Sequence, residues 1–144
     1  MAINTQKVIV GGIAGGVVAV VLDSLINGFL LAGTWEAAMT ALNPAIVANM
    51  ESPTTIVGFS VLDIIYGILL VLLYASIRPR FGPGAGTALK AAVIAWLIGG
   101  VAWGSLAVMG IFQWSLFFLG GLCWLVVTAG AALVGAKLYR EEAA

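Results

Sequence analysis

The sequence contains no histidine, a single cysteine, and only 8% charged residues. Without imidazoles or a second thiol, the common routes to haem, copper, zinc or an iron–sulfur cluster are closed, so neither a metal centre nor a cofactor is expected. The lone Cys123 cannot form an intrachain disulfide, and it lies in an apolar run, where it reads as a small packing residue. A soluble domain carries about 25% charged residues. This chain, at 62% hydrophobic, lacks the polar surface that water demands. Its formal net charge is zero and its few basic residues form no stripe, which excludes nucleic acid as a partner. No nucleophile–base pair is recognisable either, so the chain is not expected to be an enzyme.

What it does have is apolar runs of membrane-spanning length, at about 8–32, 54–77, 88–111 and 116–138. They predict an all-α fold: one polytopic membrane domain over residues 1–144, built as a bundle of four transmembrane helices. The run from Val8 to Leu31 is longer than the apolar core of a signal peptide, about 7–15 residues, and is interrupted by Asp23, so it reads as a retained helix. Ser52-Pro53 is an N-cap followed by proline at the first helical position, and opens the second helix. Arg78 to Gly84 should break the chain between helices two and three, with Thr87 capping the third. A tight connection from Gly110 to Ser115 separates the last two.

Lysine and arginine near spans stay in the cytoplasm. Lys7 precedes helix one, Arg78, Arg80 and Lys90 surround the second connection, and Lys137 and Arg140 close helix four. The other two connections carry no basic residue, so the N-terminus, the second connection and the C-terminus are expected inside. Aromatic residues favour the headgroup region; Trp35 and Trp114 would mark the outer boundary, Tyr74 and Tyr139 the inner one.

Two carboxylates fall within the spans, Asp23 and Asp63. Counting about 1.5 Å per residue from the ends of the apolar runs places them roughly 12 and 13 Å from the outer surface, at a shared depth. Gly12, Gly16, Ala19, Asp23 and Asn27 form one stripe of helix one, and Ser60, Asp63, Gly67 and Tyr74 share a face of helix two with Tyr66 at its edge. No basic side chain is available there as a counter-charge, and an aspartate at a span centre costs about 2.5–3.5 kcal/mol on insertion scales. Three states remain open: protonated acids, acids that coordinate a cation, or acids lining a wet vestibule. Asp23, Asn27, Ser60, Asp63 and Tyr66 are thus the candidate polar intramembrane site, against the plainer reading of a hydrogen bond, Asp–Asp or Asp–Asn, that only holds helices together.

The first outer connection is long. Trp35, Met39 and Leu42 recur at helical spacing, which predicts a short amphipathic helix that anchors at the interface or caps the polar face. Asn43-Pro44-Ala45 matches the tripeptide of aquaporin-type water channels, but one copy without an outer-half arginine does not make that fold. Gly11/Gly15, Gly12/Gly16 and Gly100/Gly104 are close-packing pairs that serve contacts within the chain or between subunits. Trp96, Gly100 and Trp103 share one face of helix three, where two indoles flank a notch for a flat ligand such as a carotenoid, quinone or acyl chain, or simply pack in the core. Thr128 can bond back to its own helix. The glycine-rich second connection lacks the spacing of a phosphate loop, so Arg78, Arg80 and Lys90 read as contacts to anionic lipid headgroups.

The second helix pair has no counterparts of Asp23 and Asp63, so the repeat of many transporters is not evident. Asn27-Gly28 through Trp35-Glu36-Ala37-Ala38-Met39, together with Tyr74-Ala75-Ser76-Ile77-Arg78-Pro79-Arg80-Phe81-Gly82-Pro83-Gly84, resembles small four-helix bacterial integral membrane proteins with no established activity. That resemblance implies the same topology in a bacterial plasma (inner) membrane and supplies no site residues. The resulting expectation is a non-enzymatic accessory or assembly subunit, a homo-oligomer or part of a larger complex. The alternative is an oligomer that passes protons, cations or a small solute by way of Asp23 and Asp63.

Overall fold

The structure, a computed structural model, describes residues 3–139, so Arg140 lies outside the described residues. These residues form six α-helices and no strand: α1 (Thr5–Leu25), α2 (Ala32–Leu42), α3 (Pro44–Met50), α4 (Pro53–Phe81), α5 (Ala85–Val108) and α6 (Trp114–Leu138). A widened π-type turn, Ile26–Leu30, continues α1. Thr5–Leu30, α4, α5 and α6 are each long and apolar enough to cross a membrane. Their exposed faces carry large apolar side chains, such as Val21, Phe59, Leu62, Ile98 and Val101, with few polar groups among them.

Capping explains most helix starts. The Asn4 side chain accepts from the Lys7 amide at 3.0 Å and opens α1. Ser52 accepts from the Thr55 amide at 3.3 Å and opens α4, as its position before Pro53 predicts. Asn43 caps α3 by accepting from the Ala45 amide at 2.9 Å, with Pro44 at the first turn. The Asn-Pro-Ala tripeptide is thus an ordinary helix start.

The break expected over Arg78 to Gly84 falls at Gly82, with α4 running through Pro79 to Phe81, beyond the expected end at about 77. Proline removes one amide bond, but only part of a turn remains beyond it, and Gly82 at φ 79° supplies the actual stop. Thr87 does not cap α5 either. It is buried inside that helix, and its hydroxyl lies 2.7 Å from the Gly82 carbonyl and 3.2 Å from that of Phe81, so it serves the orphan carbonyls ending α4. The last connection falls earlier than expected, between Val108 and Trp114, turning at Gly110 with φ 75°.

Glycines set the packing. Gly12 and Gly16 face α4, where a β-carbon on Gly16 would sit 2.6 Å from the Ile64 α-carbon, and Gly67 closes the same contact from the other side. Gly11 and Gly15 face α6, where a β-carbon on Gly15 would lie 2.7 Å from the Ala131 carbonyl oxygen. Both glycine pairs of α1 therefore act inside the chain. Gly104 meets the Phe117 ring, whereas Gly99 and Gly100 have nothing within 4 Å. The core follows these contacts through Ala19, Leu70, Val71, Val127 and Ala131, and α5 joins it through Ala88, Ala91 and Ala92.

Antiparallel neighbours gather Lys7, Arg78, Arg80, Lys90 and Lys137 at one end of the bundle, the basic end; α2 and α3 lie at the other, the loop end. Tyr74 and Tyr139 belong to the basic end and are buried there against other parts of the bundle. Their rings meet edge to face at 5.9 Å. The Tyr74 hydroxyl accepts from the Gly84 amide at 3.2 Å, and that of Tyr139 from the Asn4 amide at 3.4 Å, so each pins a chain segment.

Candidate functional site

The polar stripe of α1 ends in a connected chain of side chains at the loop end. The Asn27 amide nitrogen donates to the Asp23 carboxylate at 2.7 Å. Asn27 sits in the π-type turn, after which the chain bends at Leu31 and α2 folds back over the bundle. This return brings the Trp35 indole N–H to the Asn27 side-chain oxygen at 2.8 Å. Met39, one turn further on, is buried, while Leu42 is exposed, so two of the three apolar residues of the amphipathic pattern face the bundle. Of the polar residues, α2 reaches Asn27 through Trp35.

The glycine contacts also fix the register of α1 against α4. Gly12 lies opposite Ile68 and Gly16 opposite Ile64, so Asp63 is level with about residue 17 of α1, not with Asp23. The two acids are offset along the bundle by about six residues, roughly 9 Å at 1.5 Å per residue. The expected shared depth is therefore wrong. It assumed that both helices reach the surface together, but α1 and its π-type turn run about one turn past the start of α4. No hydrogen bond joins the acids; Asp23 is held by Asn27, and Asp63, 8% exposed, accepts none from the described residues.

Two of the expected neighbours turn elsewhere. The Ser60 hydroxyl donates to the Ile56 carbonyl of its own helix at 2.9 Å. Tyr66 faces α6, with its hydroxyl 3.3 Å from that of fully buried Thr128 and its ring 5.1 Å from the Trp124 ring. Thr128 is therefore an interhelical partner, where its sequence position pointed only to its own helix. Among the described residues no group of three or more histidine, cysteine, aspartate or glutamate side chains comes together.

The larger feature is a groove of about 660 Å³ on the α5–α6 side of the loop end. Its walls include Trp96, Gly100 and Trp103, the three residues of the expected notch, and the facing residues Phe117, Gly121 and Trp124 of α6. Trp35 and Asn27 close one end, so four of the five tryptophans line it. The Trp96 indole donates to the Gly121 carbonyl at 2.7 Å, fixing that ring across the two helices. The Trp103 ring rests on Gly120, where a side chain would collide with it, and stacks with Trp35 at 6.2 Å between centroids. Asn27 thus belongs to both the groove and the acid chain.

The α5 wall was legible from the spacing of its tryptophans. The α6 wall was not, because Gly120, Gly121 and Trp124 gain meaning only once α6 is known to lie against α5. Trp35 carried a signal only as a boundary marker and as the first residue of an amphipathic pattern. At the basic end, Arg78 is half-buried with its guanidinium 5.7 Å over the Tyr139 ring, whereas Arg80 and Lys90 are exposed, Lys90 lying 5.3 Å over Phe81. Comparison with protein-family models, curated proteins and solved structures gives no match.

Proposed function

We propose that the chain is a non-enzymatic, multi-pass protein of the bacterial plasma membrane that holds an apolar, membrane-dissolved molecule in the groove between α5 and α6. One observation carries this reading: a cavity of about 660 Å³ walled by four tryptophans opens on a surface that suits lipid. Ligand sites of small molecules run from about 300 to 1,000 Å³ and are mostly apolar with a few placed polar groups, the pattern of this groove with Asn27 at its end. The positions of the basic residues support cytoplasmic termini, with Arg80 and Lys90 touching anionic headgroups. Such a chain works as an accessory subunit or a self-associating bundle, and with both glycine pairs of α1 used internally, its partner surface does not rest on them.

Extraction of the chain in native lipid discs, followed by solvent extraction and mass spectrometry, tests the ligand. A co-purifying apolar molecule should be depleted when Gly100→Leu and Gly121→Leu fill the groove. Equal recovery from both proteins refutes the reading.

Asp63 favours a second reading, proton handling, because a buried carboxyl with no hydrogen bond from the described residues is expensive in a membrane unless it has work to do. Two offset acids are a poor cage for a divalent cation, which takes about six to eight oxygens. Proton flux into proteoliposomes should then be lost in Asp63→Asn, and unchanged flux removes this reading.

A further inference from the structure

Resting on the groove reading above, we infer that its occupant is a flat ring carrying oxygen at its edge, of the quinone class, with that oxygen meeting the Asn27 carboxamide. Asn27 is the one groove-lining residue that is neither glycine, aliphatic nor aromatic. A carboxamide offers two N–H donors and two oxygen lone pairs. One N–H goes to Asp23 and one lone pair receives the Trp35 indole, which leaves one donor and one acceptor without a hydrogen bond among the described residues, on a side chain that lines the groove. These two contacts also lock the amide: Trp35 identifies the oxygen and Asp23 the nitrogen, so the spare donor is held in place before a ligand arrives.

The rest of the groove suits a planar body. Gly99 and Gly100 on one helix, with Gly121 on the other, put bare backbone between the indoles, where a β-carbon would meet nothing closer than 4.0 Å. Trp96 is immobilised by its bond to the Gly121 carbonyl and Trp103 by Gly120 and Trp35, so the walls are rigid flat surfaces that favour offset or edge contact with another ring. A hydrocarbon pigment would leave the spare Asn27 donor unpaired in a low-dielectric setting, and a flexible acyl chain would gain nothing from preset ring faces. A ring carbonyl answers both features, while an attached isoprenoid or alkyl tail leaves through the open side into lipid.

The test uses the full-length chain in phosphatidylcholine nanodiscs, with decylubiquinone as probe and decylbenzene, which keeps a ring and the tail but lacks the ring oxygens, as its counterpart. Ligand retained per chain after gel filtration is measured against concentration. Decylubiquinone should saturate at one per chain, bind at least tenfold more tightly than decylbenzene, and lose about tenfold in affinity in Asn27→Leu. Equal binding of both probes, unaffected by Asn27→Leu, overturns the oxygen-recognition inference while the groove reading stands. Failure of decylubiquinone to saturate the wild type overturns the inference and, with no effect of Gly100→Leu on co-purified molecules, the groove reading too. A readout independent of any variant is the infrared carbonyl stretch of ¹³C-labelled ring carbonyl. It should move to lower wavenumber for one carbonyl of the bound probe, and identical carbonyl bands in bound and lipid-dissolved probe overturn the proposal even where Asn27→Leu does not fold.

Discussion

Gly67 of α4 lies directly on the backbone of Gly16 of α1, with no room between them for a β-carbon. This contact sets how far each helix slides past the other, and so decides that Asp63 lies deeper in the bundle than Asp23. A small-residue seam is the main way helices approach closely where lipid removes the hydrophobic drive between them.

Filling that seam should be costly. Gly67→Val is expected to destabilise the folded state by about 3 kcal/mol, at the upper end of overpacking penalties. Gly100→Ala, at a site with no neighbour within 4 Å, should be neutral or stabilising by about 0.5–1 kcal/mol, the helix preference for alanine over glycine. Unfolding by sodium dodecyl sulfate in mixed micelles measures both. Similar midpoints for the two variants would contradict the assigned register.

Thr87 supplies a second stability test. Because its hydroxyl serves the carbonyls at the end of α4, Thr87→Val keeps shape but takes the buried donor away from those acceptors. A loss of about 0.5–1.5 kcal/mol is expected, and Thr87→Ser should recover most of it. Were the residue acting on α5, the loss would appear as fraying of α5's first turn in amide exchange, with the end of α4 unchanged.

The four long helices and most of their ends were legible because apolar run length and capping are local signals: Ser52-Pro53 opens α4 where local rules put it. The register was not legible. Gly11, Gly12, Gly15 and Gly16 read as two overlapping pairs, and nothing local tells that one pair meets α6 and the other α4. Reach across a turn was equally hidden, since Thr87 and Tyr74 act on segments other than their own helix. The candidate site divided the same way. Asp23 with Asn27 follows from i, i+4 spacing, while Tyr66 with Thr128 depends on a neighbour 62 positions away.

The two aspartates should respond differently to the same substitution. Asp23→Leu removes the acceptor of Asn27, and interhelical or local hydrogen bonds within membranes average about 0.6 kcal/mol, so a loss of about that size is expected. Asp63→Leu removes no hydrogen bond to the described residues and should leave stability unchanged or raise it. Denaturation midpoints in one detergent decide the matter. A larger loss for Asp63→Leu than for Asp23→Leu would mean that Asp63 supports the fold through a contact the helix packing does not supply.

Orientation is the last expectation open to direct test. The loop end carries Glu36 and Glu51 with no basic residue on α2 or α3, whereas exposed Arg80 and Lys90 stand at the opposite end. Holding cations on the cytoplasmic side therefore puts α2 and α3 outside. Single cysteines at Ala48 in α3 and Ala85 at the start of α5, both exposed, report each end once Cys123 is replaced by alanine. In right-side-out spheroplasts, a membrane-impermeant maleimide should label Ala48→Cys at once and Ala85→Cys only after lysis. The reverse pattern would turn the whole bundle over, putting the groove and the Asp23–Asn27–Trp35 chain in the inner half of the bilayer, so that a ligand would enter from the cytoplasmic leaflet.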